Sequence, residues 1–153
     1  MEKTRVRDIM TSPAIVAPPD MKVPAAIALM RRYTIRHLPI VENDRLVGIV
    51  SRGDLREAST AAATNATSYE TSFMLSQLRL HDIMTRKVFT VTPDAFIVHA
   101  AELLTENRVA GLPVVDKGGT VVGIVTDSDL LKLLVRKLKE AEALSELPSP
   151  TGG

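Results

Sequence analysis

Two short stretches carry residue types that can do chemistry at a fixed spacing. Ser51-Arg52-Gly53-Asp54 and Thr126-Asp127-Ser128-Asp129 each set a hydroxyl three residues ahead of a carboxylate, directly after Gly-Ile-Val. An ionised carboxylate accepts two hydroxyl donors in one plane, and such charge-assisted bonds are among the stronger ones. A helix beginning there also turns free N–H groups and a positive dipole end toward an anion. The same residue types are plain helix N-caps, worth about 0.5–2 kcal/mol each. The two roles are compatible, and duplication after the same tripeptide favours a ligand over capping alone. A second signal is one-sided. Arg36-His37 precedes Leu38-Pro39, whereas Ala110-Gly111 holds the matching place before Leu112-Pro113. Arg36 can fork two donors onto phosphate oxygens, and His37 can add a donor or, when protonated, a charge. The bland reading makes Arg36 a solvated charge and His37 a satisfied residue at the start of a strand.

Catalysis finds less support. The chain has no Cys, which excludes disulfides, thiolate nucleophiles and cysteine metal sites. His81 and His99 stand in different contexts from His37 and form no ligand cluster with it, so no metal spacing emerges. No nucleophile–base–orienter set is present. Gly118-Gly119 suits a hairpin turn and does not match a phosphate loop. An enzyme, for instance a nucleotide hydrolase, is therefore the least favoured reading, and no cofactor is required.

The elements that would position these residues occur twice. Asp8-Ile9-Met10-Thr11 returns as Asp82-Ile83-Met84-Thr85, an offset of 82 − 8 = 74. Pro19-Asp20 and Leu38-Pro39 return at the same offset, and Val47-Gly48-Ile49-Val50 returns one residue later as Val122-Gly123-Ile124-Val125. Each copy reads as a short extended piece (14–17; 88–91), an apolar-periodic helix (23–33; about 97–107), two β-branched runs joined by a hairpin turn, and a closing helix from Asp54 or Asp129. The unit is β-α-β-β-α, and two units too small to bury their own apolar faces should pack on each other. The spacing predicts a first repeat over 6–58, a linker with a short helix over 59–79 and a second repeat over 80–134. A helix extension and disordered tail follow over 135–153. Small polar residues make 59–68 a flexible linker, and the 3-4 spacing of Leu131, Leu134, Leu138 and Ala141 suits contact with a partner subunit.

With 45% hydrophobic and 24% charged residues, the composition is that of a soluble globular domain. A net charge of +1 gives no field favouring nucleic acid or membrane, and 3% aromatics without Trp argues against base-stacking platforms. No apolar run reaches the roughly 18–20 residues of a membrane span. Residues 1–5 lead straight into the first repeat without a signal peptide, so a reducing cytoplasm is the expected compartment.

A tandem β-α-β-β-α repeat with Asp-Ile-Met-Thr openings, Leu-Pro strands and Gly-Ile-Val-Ser/Thr-x-x-Asp endings resembles a CBS-domain pair, or Bateman module, over residues 6 to about 134. The whole chain also resembles small stand-alone bacterial CBS proteins of the acetoin-utilisation type. The resemblance implies an α/β (α+β) fold of two repeats in a pseudo-two-fold pair. It further implies a regulatory homodimer that binds adenosine-containing ligands (AMP, ADP, ATP or S-adenosylmethionine) in two clefts, acting through an unidentified effector protein. Asp54 and Asp129 would then accept the ribose hydroxyls, with Ser51 and Thr126 beside the sugar or phosphate. Arg36 and His37 would equip the Asp54 cleft for phosphate. By similarity to nucleotide-binding CBS pairs, the partner repeat would hold adenine. Those residues are Thr92, Ile97, Val109 and Ala110 for the Asp54 cleft, and Pro18, Val23 and Ile35 for the Asp129 cleft. Core packing is the stronger reading for Ile97 and Val23. The alternative is a dimerisation or scaffolding module with no small-molecule ligand, its working surface the Leu131–Ala141 stripe.

Overall fold

The computed structural model describes residues 3–63 and 67–146, so residues 64–66 of the expected linker and the end of the tail expected over 135–153 lie outside the described residues. The first apolar-periodic stretch forms α2, Val23–Tyr33, with Pro24 in its first turn where a missing N–H costs little. Strands β1, His37–Glu42, and β2, Arg45–Ser51, pair antiparallel, and Asn43 and Asp44 adopt positive φ (51° and 63°) in the two-residue turn between them. Helix α3, Arg52–Ala63, closes the unit. The second copy repeats the plan with α6 (Ile97–Asn107), β3 (Gly111–Val115), β4 (Val121–Thr126) and α7 (Asp127–Ser145).

Several elements differ from the sequence expectation. The short extended pieces are not full strands; each contributes one parallel bridge, Ala17 to Ile40 and Val91 to Val114. Each Asp-Ile-Met-Thr opening contains one helical turn, α1 (Val6–Ile9) and α5 (Leu80–Ile83), in which Asp8 and Asp82 accept the N–H of Arg5 and Arg79. Residues 59–63, expected to be linker, are the last turns of α3. Alanine is the best helix former, and Ala58, Ala61 and Ala62 face Phe73 and Met74 of α4 (Ser68–Gln77). The expected helix between the repeats is thus present as α4.

The openings are exchanged between the repeats. Thr11 trades both backbone hydrogen bonds with Ile124, and Thr85 does the same with Ile49. The core accordingly divides into two clusters. Val6 of the first opening is buried with Leu104, Leu112, Val114 and Val125 of the second repeat. Leu80 of the second opening is buried with Val23, Leu38, Ile40 and Val50 of the first. Gly48 and Gly123 permit these crossings: a Cβ on Gly123 would lie 2.8 Å from the Thr11 carbonyl oxygen, and one on Gly48 would lie 2.5 Å from the Met84 sulfur. Among the described residues no helix is long and apolar enough to cross a membrane.

Candidate functional site

Both Ser/Thr-x-x-Asp stretches lie where a strand becomes a helix, and both form reciprocal caps. Ser51 N–H donates to Asp54 Oδ2 at 2.8 Å, and Asp54 N–H donates to Ser51 Oγ at 3.0 Å. Thr126 and Asp129 repeat this at 2.8 and 3.4 Å, with the Thr126 hydroxyl also donating to Asp129 Oδ2 at 3.1 Å. The capping role is real at both sites, and each carboxylate spends only one oxygen on it. The helix starts differ in what they leave open. At α3, Arg52 N–H donates to the Arg36 carbonyl and Asp54 N–H to Ser51, so Gly53 N–H has no partner among the described residues. At α7, Asp127 N–H is held by the Ala110 carbonyl, Ser128 N–H by the Asp127 side chain and Asp129 N–H by Thr126.

A cavity of about 330 Å³ opens between the repeats at the α3 start, at the lower end of the size range of small-ligand pockets. His37, Ile49, Ser51 and Asp54 line it from the first repeat; Thr85, Lys87, Val88, Phe89 and residues 108–111 line it from the second. Five of the eight residues expected in the first cleft therefore meet there: His37, Ser51, Asp54, Val109 and Ala110. Thr92 is exposed outside it, and Ile97 is buried in the second core.

Arg36 also lies elsewhere. Its Nη2 donates to Ser128 Oγ at 2.6 Å and lies 3.5 Å from Asp127 Oδ1, so it reaches the α7 start. Arg36 stands in the bend just before β1, and its side chain is held at the α7 start, away from the cavity that His37 lines. The cations of the first cleft are instead Lys87 and Arg108, which the sequence reading missed. Their counterparts in the first copy are Pro13 and Thr34 (87 − 74 = 13; 108 − 74 = 34), so a copy-to-copy comparison for unmatched charges would have found them.

The His37 ring packs on Gly111, its own counterpart in the second repeat, where a Cβ would approach His37 Cγ to 2.8 Å. Burial holds the imidazole below its ordinary pKa and the Arg36 charge adds to this, while Asp127 and Asp54 pull the other way. His37 is therefore neutral at pH 7 and acts as a hydrogen-bonding group.

The residues expected in the second cleft have different surroundings. Val23 is core, Ile35 packs against that core, and Pro18 is exposed with its carbonyl accepting Met21 N–H. Asp129 lines a separate cavity of about 240 Å³ with Asp8, Ile9, Lys132, Leu133 and Arg136, between α1 and α7. Thr126 serves as the α7 cap. Among the described residues no group of three or more His, Asp or Glu side chains is placed to hold a metal.

The CBS domain family model matches residues 6–61 and 80–136. A CBS domain-containing protein of Dictyostelium discoideum is 34% identical over 141 residues, covering 90% of this chain and 95% of its own length. Among solved structures, an acetoin utilisation protein (AcuB) from Vibrio cholerae is 31% identical with a TM-score of 0.76, covering 92% of this chain and 98% of that one. The CBS domain pair of protein MJ0100, solved with 5′-methylthioadenosine and S-adenosyl-L-methionine, is 33% identical with a TM-score of 0.74, covering 88% and 98%. The chain also matches 23% of the length of L-aspartate semialdehyde sulfurtransferase from Methanocaldococcus jannaschii. That match covers the enzyme's CBS part and brings none of its chemistry with it. Two matched repeats, two equivalent capped helix starts and a cleft between them agree: the chain belongs to the CBS-domain family, a regulatory module and not an enzyme.

Proposed function

We propose that the chain is a ligand-sensing module that takes a phosphorylated adenosine compound, such as AMP, ADP or ATP, in the cleft holding Asp54. One observation carries this reading. The inter-repeat cavity places the Asp54 carboxylate and Ser51 hydroxyl together with two cations, Lys87 and Arg108, and the neutral His37. The Asp54 oxygen not used in the cap suits a ribose diol, the cations suit phosphate oxygens, and the 109–110 backbone suits adenine. The adenosine ligands of the similar MJ0100 pair support the class. The Asp129 side lacks the open N–H and has Arg36 bound across its helix start, so ligand in the first cleft is the working state. Homodimer formation and an effector protein complete the reading, and a cysteine-free chain suits a reducing compartment.

A scaffold reading is favoured by a different observation: Leu131, Val135 and Leu138 of α7 are 60%, 51% and 53% exposed. Thermal melting with AMP, ADP, ATP and S-adenosylmethionine separates the two. Stabilisation by the phosphorylated compounds supports the sensor. No shift with any of them, in a protein that dimerises through α7, supports the scaffold.

A further inference from the structure

The two repeats carry equivalent grooves along their closing helices, and among the described residues α4 walls one of them. In the first repeat Ala58, Ala61 and Ala62 of α3 and Ile83 of α5 face Phe73, Met74 and Gln77 of α4. The Thr71 hydroxyl of α4 donates to the Ala62 carbonyl at 3.4 Å. In the second repeat Ile9, Leu133 and Arg136 hold the places of Ile83, Ala58 and Ala61 (83 − 74 = 9; 133 − 75 = 58; 136 − 75 = 61). They line the cavity of about 240 Å³ between α1 and α7. The chain enters both openings by the same track, since the Leu78 carbonyl accepts Val23 N–H and the Thr4 carbonyl accepts Ile97 N–H, each at 2.9 Å.

The second groove is charged where the first is small and apolar. Lys132 and Arg136 stand where the first repeat has Glu57 and Ala61. Both are exposed, and neither forms an ion pair among the described residues. The carboxylates beside them, Asp8 and Asp129, each accept a backbone N–H at 2.8 Å in a cap. Two such cations one turn apart beside Ile9 suit carboxylates one turn apart on an apolar helix. On a helix of 3.6 residues per turn they flank buried Leu133 on the side opposite Leu134 and Leu138, so the exposed stripe of α7 stays clear.

Resting on the reading that the chain acts through an effector protein, we infer that the α1–α7 groove receives an acidic amphipathic helix of that effector. The helix lies on the second repeat as α4 lies on the first.

This chain's own α4 supplies the probe. A fluorescent peptide of residues 67–78, stapled to hold its helix, carries Met74→Glu and Gln77→Glu at two groove-facing positions. A second peptide carries Met74→Lys and Gln77→Lys. Anisotropy with the full chain should show the Glu peptide binding about tenfold more tightly than the Lys peptide. Lys132→Glu with Arg136→Glu should reverse that order. Arg45→Glu with Lys117→Glu, an equal charge change at the two hairpins, should keep it. All four sites are exposed, and circular dichroism checks each fold. Hydrogen exchange should slow over 6–9 and 129–136 when the Glu peptide binds. Failure of the Glu peptide to bind, a preference that Lys132→Glu with Arg136→Glu leaves unreversed, or protection confined to other residues would overturn the inference. A Glu peptide that binds there equally well with and without AMP, ADP or ATP supports the groove and overturns the reading that ligand state reaches an effector.

Discussion

Asp54→Ala separates the two jobs of one carboxylate. In the ligand-free protein Asp54 Oδ2 accepts the Ser51 N–H at 2.8 Å. Losing that cap should cost about 0.5–2 kcal/mol, a fall in melting temperature of about 1–8 °C at roughly 2–4 °C per kcal/mol for this chain length. On the proposed reading the other oxygen accepts the ribose hydroxyls of the ligand, and losing charge-assisted bonds of about 1.5–3 kcal/mol should weaken binding about 10–150-fold. At a nucleotide concentration about 100 times the wild-type Kd, binding adds about 2.7 kcal/mol; a 30-fold loss would leave about 0.9 kcal/mol. The ligand-induced shift should thus shrink from about 5–10 °C to about 2–4 °C. Asp129→Ala is the control, because it removes the equivalent cap at α7. It should lower the ligand-free melting temperature comparably and leave the ligand shift intact. Differential scanning fluorimetry of the three proteins with and without nucleotide reads all of this. If Asp54→Ala loses stability but keeps the full ligand shift, the carboxylate is a cap only and the cleft assignment is wrong.

The remaining predictions concern the surroundings of this cleft. Burial lowers the His37 pKa in the folded state, so below its unfolded value near 6.5 the unfolded chain binds more protons and stability falls as pH drops. Urea melts on either side of that value should show a loss in the wild type that His37→Gln removes; an equal loss in both would contradict the burial argument. Arg36→Ala should leave nucleotide affinity unchanged and cost less than about 1 kcal/mol, since it removes an exposed contact to Ser128 and Asp127. A loss of affinity matching that of Asp54→Ala, read by calorimetry, would return Arg36 to the first cleft. Gly123→Ala should destabilise by about 1–3 kcal/mol and more than Gly48→Ala. The new methyl meets the Thr11 carbonyl at 2.8 Å in the first case, and in the second chiefly the flexible end of Met84, with the Thr85 carbonyl at 3.1 Å. Equal costs in chemical denaturation would refute that distinction.

The fold was legible where local pattern and packing agree. Helices 23–33 and 97–107 follow from their apolar period and the hairpins from their β-branched runs, because burial of one face decides both. Three features were out of reach. The 59–63 turns of α3 look like linker because alanines and threonines carry no stripe until Phe73 and Met74 pack against them. The exchange of openings leaves no mark, because Asp-Ile-Met-Thr stands before its own repeat whichever copy it docks on. In the site, the duplicated motif led to Ser51 and Asp54. Arg36 lies outside the cavity because it stands in the bend before β1, and proximity in sequence says nothing of where a bend sends its side chain. Lys87 and Arg108 sit where the repeat is broken, and a search for what the copies share passes over them.

The exchanged openings also bear on how an occupied cleft can be felt elsewhere. Ile49 belongs to the first repeat and Thr85 to the opening of the second. They trade backbone hydrogen bonds of 3.0 and 2.9 Å, and both line the cavity that holds Asp54. A ligand lodged there touches the two sides of a joint between the repeats as well as two surfaces that happen to face each other. It can shift the angle of that joint only by its difference in affinity for the two arrangements. Lys87 and Arg108 line the cavity from the second repeat and Asp54 from the first, so on the proposed reading a bound nucleotide would have purchase on both. The equivalent joint, Thr11 with Ile124, faces a helix start whose N–H groups are already satisfied and across which Arg36 is bound. The two halves of the duplicated unit thus differ at equivalent places: one leaves a helix N–H open beside the cavity, and the other satisfies its helix N–H groups within the chain.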